Sequence, residues 1–397
     1  MAQTFRILTL NKISAAGLKR LPAESYVIAG DMAEPDAILV RSHNMLEMDI
    51  PHSVLAIGRA GAGTNNVPVR EMSLRGVPVF NAPGANANAV KELVLAGMLL
   101  AARNLVPALH FVNGLIGDDA TLHKLVEDGK KVFSGIELAG RTLGVVGLGA
   151  IGRQVANAAI GLGMRVIGYD PEITVDAAWS LSSQVRKAHT LEELLRHSDF
   201  VTLHLPLLDA TRNMMDERRL AMMKSGSVLL NFSRDAIVNE TAVIASLKAH
   251  HLNYYVCDFP SNRTIAQERI IAMPHLGAST GEAEENCAVM VAEQLREYLE
   301  HGNVRNSVNF PEVVMPRESG FRLAVVNANV PNMLGQISGT LAAAGINIHN
   351  MLNKSRGEIA YTLVDTDSPV PLGVIRRIEG IAGVLKVRAL PLREHDA

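Results

Sequence analysis

Gly147-Leu148-Gly149-Ala150-Ile151-Gly152 follows directly on the apolar run Leu143–Val146 and opens a helical stretch. A strand, a glycine turn and a helix in that order point to a dinucleotide-binding βαβ unit. The first glycine permits the tight turn, the second lets backbone approach a pyrophosphate, and the third lets helix and strand pack closely. Ala150 and Ile151 then stand in the first helical turn, whose free N–H groups face the phosphates. Taken alone, a GxGxxG pattern is weak. Here Asp170 ends the next apolar run, Arg165–Tyr169, 18 residues after Gly152. A carboxylate there accepts from a ribose 2′-hydroxyl and repels a 2′-phosphate, and Pro171-Glu172 offer no arginine to offset it. The expected cofactor is therefore NAD rather than NADP.

Short apolar runs alternate with helical stretches on both sides of this motif. Phe5–Leu10, 38–41, 55–57 and 77–80 precede it, and 143–146, 165–169, 200–205, 227–231, 254–258 and 270–273 form six candidate parallel strands. The alternation implies an α/β chain. Residues 302–320, rich in Asn, Val and Pro, suit an extended linker. Beyond them strand, helix, strand, strand, helix and strand follow over about 75 residues, the order of a ferredoxin-like βαββαβ module. Lys and Arg number 38 against 40 Asp and Glu, so no basic field points to nucleic acid or an anionic membrane. The two cysteines, Cys257 and Cys287, make neither a disulfide framework nor a metal pattern, and no metal site is expected. The longest apolar run, Leu93–Ala102, is far shorter than the ~20 residues a bilayer requires. No leader is read in the first residues, and a cytoplasmic protein is expected.

Oxidising a 2-hydroxy acid needs a base for the hydroxyl proton and a cation for the carboxylate. His275, in Pro-His-Leu-Gly-Ala-Ser-Thr, and Arg234, in Asn-Phe-Ser-Arg, each follow a strand and supply these groups. With Val40-Arg41-Ser42, the loop Gly58–Asn66, Asn81-Ala82-Pro83, Asn86, Glu92 and Val308-Asn309-Phe310-Pro311, the constellation resembles the D-2-hydroxy acid dehydrogenases over nearly the whole chain. The likeness is strongest to members that oxidise D-3-phosphoglycerate to 3-phosphohydroxypyruvate for serine synthesis and end in an ACT-type domain. Asn329-Val330-Pro331 and Gly345-Ile346-Asn347-Ile348 carry the ACT-type signature.

The resemblance implies two Rossmann-like domains with a cleft between them, plus the terminal module. The substrate domain would take residues 1–88 and 275–307, the NAD domain 89–274 and the ACT-type domain 318–397. His275 would be the acid/base, Arg234 the carboxylate anchor, and Asp258 the acid contacting the nicotinamide amide, with Phe232 beside it. Arg41, Ser42, Asn86, Lys130 and Gly277 match substrate-binding positions. Asn329 and Asn347 would bind an amino-acid effector, serine first, in a homodimer or homotetramer.

The family usually places a glutamate shortly after the position of Asp258, paired with the catalytic histidine. This chain reads Asp258-Phe259-Pro260-Ser261-Asn262-Arg263, and Glu268 reads as a solvated strand-edge charge. Asp235 replaces a common glycine, at a turn where Asp tolerates left-handed backbone. Asn327 stands where serine-sensing members often have histidine. Ser279 and Glu282 have the spacing of a capping box, and Cys257 reads as a small buried hydrophobe. Two further readings stay open: another D-2-hydroxy acid dehydrogenase, or a nucleotide-sensing binding protein of the same fold.

Overall fold

The computed structural model describes residues 4–265, 267–317 and 320–391. The chain divides into two compact units, 1–85 with 284–397, and 86–283. The return segment thus starts later than the 275 expected from sequence, and the terminal module belongs with the N-terminal residues. Among the described residues no single helix is long and apolar enough to cross a membrane.

The second unit is built on a seven-stranded parallel sheet: β6 (Thr142–Val146), β7 (Arg165–Tyr169), β8 (Arg186–Lys187), β9 (Phe200–Leu203), β10 (Ser227–Asn231), β11 (Leu252–Cys257) and β12 (Ile270–Ala272). Their order is β12-β11-β10-β9-β6-β7-β8. β6, β9 and β10 are buried along their whole length, so both faces are covered and the strands read as continuous apolar runs rather than alternations. The chain runs outward from β6 through β7 to β8, then returns to lay β9 on the other side of β6. That reversal opens a crevice at the carboxyl ends of β6 and β9, where ligands bind in such sheets. The helix Ala87–Ala102 buries Val90, Val94 and Met98 against Phe232 and Val256.

The first unit holds a second parallel sheet, β1 (Phe5–Leu10), β2 (Tyr26–Ala29), β3 (Ala37–Val40), β4 (Ala56–Arg59) and β5 (Val79–Phe80), ordered β2-β1-β3-β4-β5. Register places Val40 beside Arg59, so Arg41 and Arg59 emerge from neighbouring strand ends. The 21-residue helix Gly281–His301 packs closely on β4, where a Cβ at Gly58 would lie 2.4 Å from Val291.

The terminal module forms the expected βαββαβ unit: β13 (Phe321–Ala328), helix Met333–Ala343, β14 (Ile348–Arg356), β15 (Ile359–Thr366), helix Leu372–Glu379 and β16 (Val384–Pro391). Its antiparallel sheet has the order β14-β15-β13-β16. Alternation along β13 sends Leu323 and Val325 to the module's own helices. Ala324 and Val326 go the other way, with Tyr361, Leu363 and Leu390, into a core shared with Phe80, Tyr298 and Phe310.

Residues 302–317 are therefore no free linker. Val304, Phe310, Val313 and Met315 are buried, and Tyr361 donates to Gly302 O at 2.6 Å. Arg322 and Asp365 form an ion pair with both side chains 0% exposed. The same guanidinium donates to His301 O, Met315 O and Pro316 O, so its other donors close the end of the long helix.

Breaking a buried pair from one side leaves an uncompensated charge. Asp365→Asn should therefore lower stability by about 3 kcal/mol, read as a reduced denaturant midpoint. An unchanged midpoint would mean that Arg322 is held by the three carbonyls alone.

Candidate nucleotide and catalytic site

Each fingerprint glycine has its own physical requirement. Gly147 has φ +88°, and a Cβ there would sit 2.3 Å from His204 O. A Cβ on Gly152 would sit 1.9 Å from Gly147 O, so the helix Ala150–Gly161 needs glycine to reach the turn. A Cβ at Gly149 would meet nothing within 4 Å, which leaves open space before the helix N-terminus where a pyrophosphate fits. Asp170 follows β7, and its Oδ2 accepts from Leu148 N–H at 2.7 Å while Oδ1 accepts from Glu172 N–H at 2.9 Å. The acid read from sequence as a ribose partner also braces the glycine turn.

Asp258 follows β11 and is 1% exposed. Burial raises its pKa, opposed most by the facing His275 and less by the Gly277 N–H and Arg234. Its Oδ1 is out of solvent and has no partner. Leaving such an acceptor unpaired is costly, and the amide NH2 of a nicotinamide is a donor suited to it. Glycine at 277 fits close packing, since a Cβ there would lie 3.3 Å from Val90 and 3.5 Å from Asp258 Oδ2. With the open cradle at Gly149, these features fit a dinucleotide. Phe232 is 6% exposed and its ring packs into the core beside Gly97, so its backbone is the part that can face a cofactor.

Arg234 is held by side chains that grip the backbone before it. Asn231 Oδ1 accepts from Ser233 N–H and its Nδ2 donates to Arg234 O. Ser233 Oγ donates to Leu203 O at 2.5 Å and accepts from Leu205 N–H, tying β10 to β9. The Arg234 side chain itself is exposed, with Nη1 donating to Ser233 O. Asp235 opens a 3-10 turn with φ on the ordinary negative side, so the turn needs no glycine there.

His275 has φ +42°, a left-handed value uncommon for a residue with a Cβ. Its N–H donates to Asp258 O and Met273 O, both at 3.1 Å. The exposed imidazole packs on Phe259 with ring centroids 5.0 Å apart. No carboxylate among the described residues forms an ion pair with it, Glu268 included. The helix that follows is capped by Thr280, whose Oγ1 accepts from Ala283 N–H, and not by Ser279.

In the other unit, Arg41 Nη2 lies 2.5 Å from Glu284 Oε1. Asn66 Nδ2 donates to Arg41 O, and Ser42 N–H donates to Asn11 Oδ1. Arg59 was missed from sequence, where it stands inside the loop Gly58–Asn66 without a role of its own. Its guanidinium lies over Gly61, whose Cβ would come within 1.8 Å of Nη1. Burial, then Cys287 and Arg41, act on it, with a net lowering of its pKa. A strand-end arginine beside Arg41 was the available signal. Asn86 precedes the helix Ala87–Ala102, and its side chain makes no cap hydrogen bond. Lys130 pairs with Glu127 at 2.5 Å on an exposed stretch.

Asn329 and Asn347 do not converge within the chain. Asn329 Nδ2 donates to Gly357 O at one end of the sheet, and Asn347 N–H to Asp367 Oδ1 at the other. Seven residue steps of β15, Ile359 to Thr366, separate those ends, roughly 23 Å at about 3.3 Å per residue.

Residues 97–279 match the D-isomer specific 2-hydroxyacid dehydrogenase family, NAD binding domain. The chain is 33% identical over 363 residues to a D-3-phosphoglycerate dehydrogenase of Haemophilus influenzae, covering 88% of this chain and 85% of that protein. It is 32% identical over 367 residues to the Escherichia coli K12 protein of that name, covering 88% and 86%. The chain belongs to the D-isomer specific 2-hydroxyacid dehydrogenases, and its cofactor is NAD. In fold it resembles the D-mandelate dehydrogenase of Rhodotorula graminis, with TM-score 0.65 and 23% identity over 79% of this chain and 99% of that one. It also resembles the NAD+-bound 3-phosphoglycerate dehydrogenase of Entamoeba histolytica, with TM-score 0.59 and 24% identity over 77% and 99%.

His204, just past β9 in the nucleotide crevice, is half-buried with its ring Nδ1 out of solvent, and this desolvation lowers its pKa from 6.5 to about 3. Nε2 lies 3.0 Å from Thr202 Oγ1, and Nδ1 has no partner. The unfolded chain binds a proton there near 6.5 and the folded chain only near 3. The stability held above 6.5 is therefore lost progressively as pH falls through that window. His204→Gln should flatten the stability-versus-pH curve there by up to one proton, measured by denaturant titration; parallel curves for both proteins would exclude His204 as the source.

Proposed function

We propose that this protein oxidises D-3-phosphoglycerate to 3-phosphohydroxypyruvate with NAD, the first step of serine biosynthesis. The observation that carries the reading is the gathering of Asp258, His275 and Arg234 on the same sheet edge as the glycine turn, in a chain similar over most of its length to the curated D-3-phosphoglycerate dehydrogenases. NAD, when bound, supplies the hydride acceptor. Arg234 grips the substrate carboxylate, with two parallel donors that stay charged at any working pH. His275 starts neutral and takes the proton of the C2 hydroxyl. Asp258 Oδ1 receives the nicotinamide amide, and Asp170 selects NAD over NADP. Arg41, Ser42, Asn86, Lys130 and Gly277 bind the rest of the substrate, and Arg59 adds a second guanidinium beside Arg41.

Without a carboxylate of its own, His275 is oriented by Phe259 and by charge from Asp258.

Purified protein with NAD and D-3-phosphoglycerate should produce NADH faster than with D-glycerate or D-lactate. His275→Ala should lower kcat by roughly 10²-fold or more, and Arg234→Lys should fall steeply despite its retained charge. NAD binding without turnover of any 2-hydroxy acid would move the protein to the nucleotide-sensing reading. Equal rates on D-glycerate would make it another dehydrogenase of the family.

Assembly and regulation belong to the same proposal. Leu105, Val106, Leu109, Val112 and Ile116 are exposed on and just after the helix Leu105–Asn113, an apolar surface suited to a second copy. β14 is an edge strand. Antiparallel pairing of two such edges would lay the Asn329 end of one module beside the Asn347 end of the other, giving a serine site shared by two chains. Calorimetry with serine should show binding that Asn347→Ala weakens at least tenfold. Absence of heat with serine and other amino acids would leave the module as an assembly element.

A further inference from the structure

Arg41 and Arg59 leave adjacent strand ends, and the only carboxylate ion-paired with either among the described residues is Glu284. We propose that Glu284 is a specificity-determining residue that limits how strongly the Arg41 subsite binds a dianion. This rests on the reading of Arg41 as an anion anchor and adds the group that sets its strength.

Glu284 stands in the first turn of the helix Gly281–His301. Its carboxylate meets Arg41 Nη2 at 2.5 Å, with the two side chains 39% and 44% exposed. Two guanidiniums and one carboxylate leave a single net positive charge where the arginines alone would supply two. A phosphate dianion must displace Glu284 from Arg41 or bind beside it. Displacement is feasible because an exposed pair contributes little stability. Binding beside it sets like charges a few ångströms apart, which matters even in high dielectric. Either way the dianion is weakened more than a neutral or hydroxyl-bearing group would be at this place. Arg59 does not compensate fully, because it is half-buried over Gly61 with its Nε out of solvent and unpartnered. Glu284 thus competes inside the chain for the same donors that a phosphate would use, and discriminates by charge.

The test is calorimetric titration of the full-length protein with inorganic phosphate at a pH where it is a dianion, in low salt, for wild type, Glu284→Gln, Arg41→Gln and the double variant. Glu284→Gln should bind phosphate roughly tenfold more tightly, and high salt should shrink the gain. In the Arg41→Gln background the same substitution should gain clearly less, since the displacement route runs through that guanidinium and only direct repulsion remains. In turnover, Glu284→Gln should lower KM for D-3-phosphoglycerate while KM for D-glycerate moves less than twofold. Unchanged phosphate affinity would overturn the proposal. Weaker binding in Glu284→Gln would overturn it too, by showing that Glu284 holds Arg41 in place for the anion. The titration needs no turnover. Tighter phosphate binding by an inactive protein would therefore support this inference while defeating the substrate assignment.

Discussion

Parallel strand pairing is the constraint on which the rest of the molecule depends. A parallel sheet buried on both faces sends the chain over it through helices, so every strand ends on the same edge and every functional loop leaves from there. In the second unit that edge carries Gly147, Asp170, His204, Arg234 and Asp258 in five consecutive strand-end loops. These residues span more than a hundred positions of sequence, yet β6, β7, β9, β10 and β11 lie in one sheet. The other parallel sheet does the same on a smaller scale, with Arg41 and Arg59. Nothing else needs to be specified to assemble such clusters than continuous apolar strands and the turn chemistry between them.

Within this frame the buried Asp258 carboxyl is the least comfortable group. Burial alone opposes its charge, and one oxygen is left without a donor. Its compensation comes from groups whose own placement has other causes: the N–H of Gly277, the imidazole of His275 and, more weakly, Arg234. Asp258 faces the histidine with no carboxylate ion-paired to that ring among the described residues, and Phe259 fills the side of the imidazole by packing. The tautomer of His275 is then set by whatever its ring nitrogens meet in the bound state.

Strands with a predominantly apolar centre were legible from sequence to the residue, as at Phe5–Leu10 and Ser227–Asn231. β2 was missed because Tyr26–Ala29 is a partly exposed edge with one buried position, and β8 because Arg186–Lys187 carries no apolar signal at all. The nucleotide turn was readable since Gly147 and Gly152 answer local steric demands and Gly149 leaves open space before the helix N-terminus. Arg59 was not, because its role depends on β3 lying next to β4. The stretch 302–317 looked like a linker because Asn and Pro break periodicity, but spaced residues such as Phe310 and Val313 still found a core. Asn329 and Asn347 both belonged to one motif by resemblance, and only the antiparallel register shows them at opposite ends of a sheet.

That shared core changes what the terminal module can be within its unit. A module on a free linker exchanges only effective concentration with its neighbour. This one shares Tyr298, Phe310, Tyr361 and Leu390 with the N-terminal sheet, and Arg322 closes the carboxyl end of the long helix. Glu284 lies near the other end of that helix, 17 residues before His301, roughly 25 Å at about 1.5 Å per residue. Side chains of Val291, Leu295 and Tyr298, all 0% exposed, fix the helix between those points. A close-packed interior is not continuously deformable, so the helix can answer a disturbance of the module only by moving as a body or by unpacking. The first outcome would carry Glu284 with it relative to Arg41. The second would cost the burial of those three side chains, about 1.5–3 kcal/mol apiece for groups of that kind. The seam with the module and the Arg41–Glu284 pair thus lie toward the two ends of one packed helix.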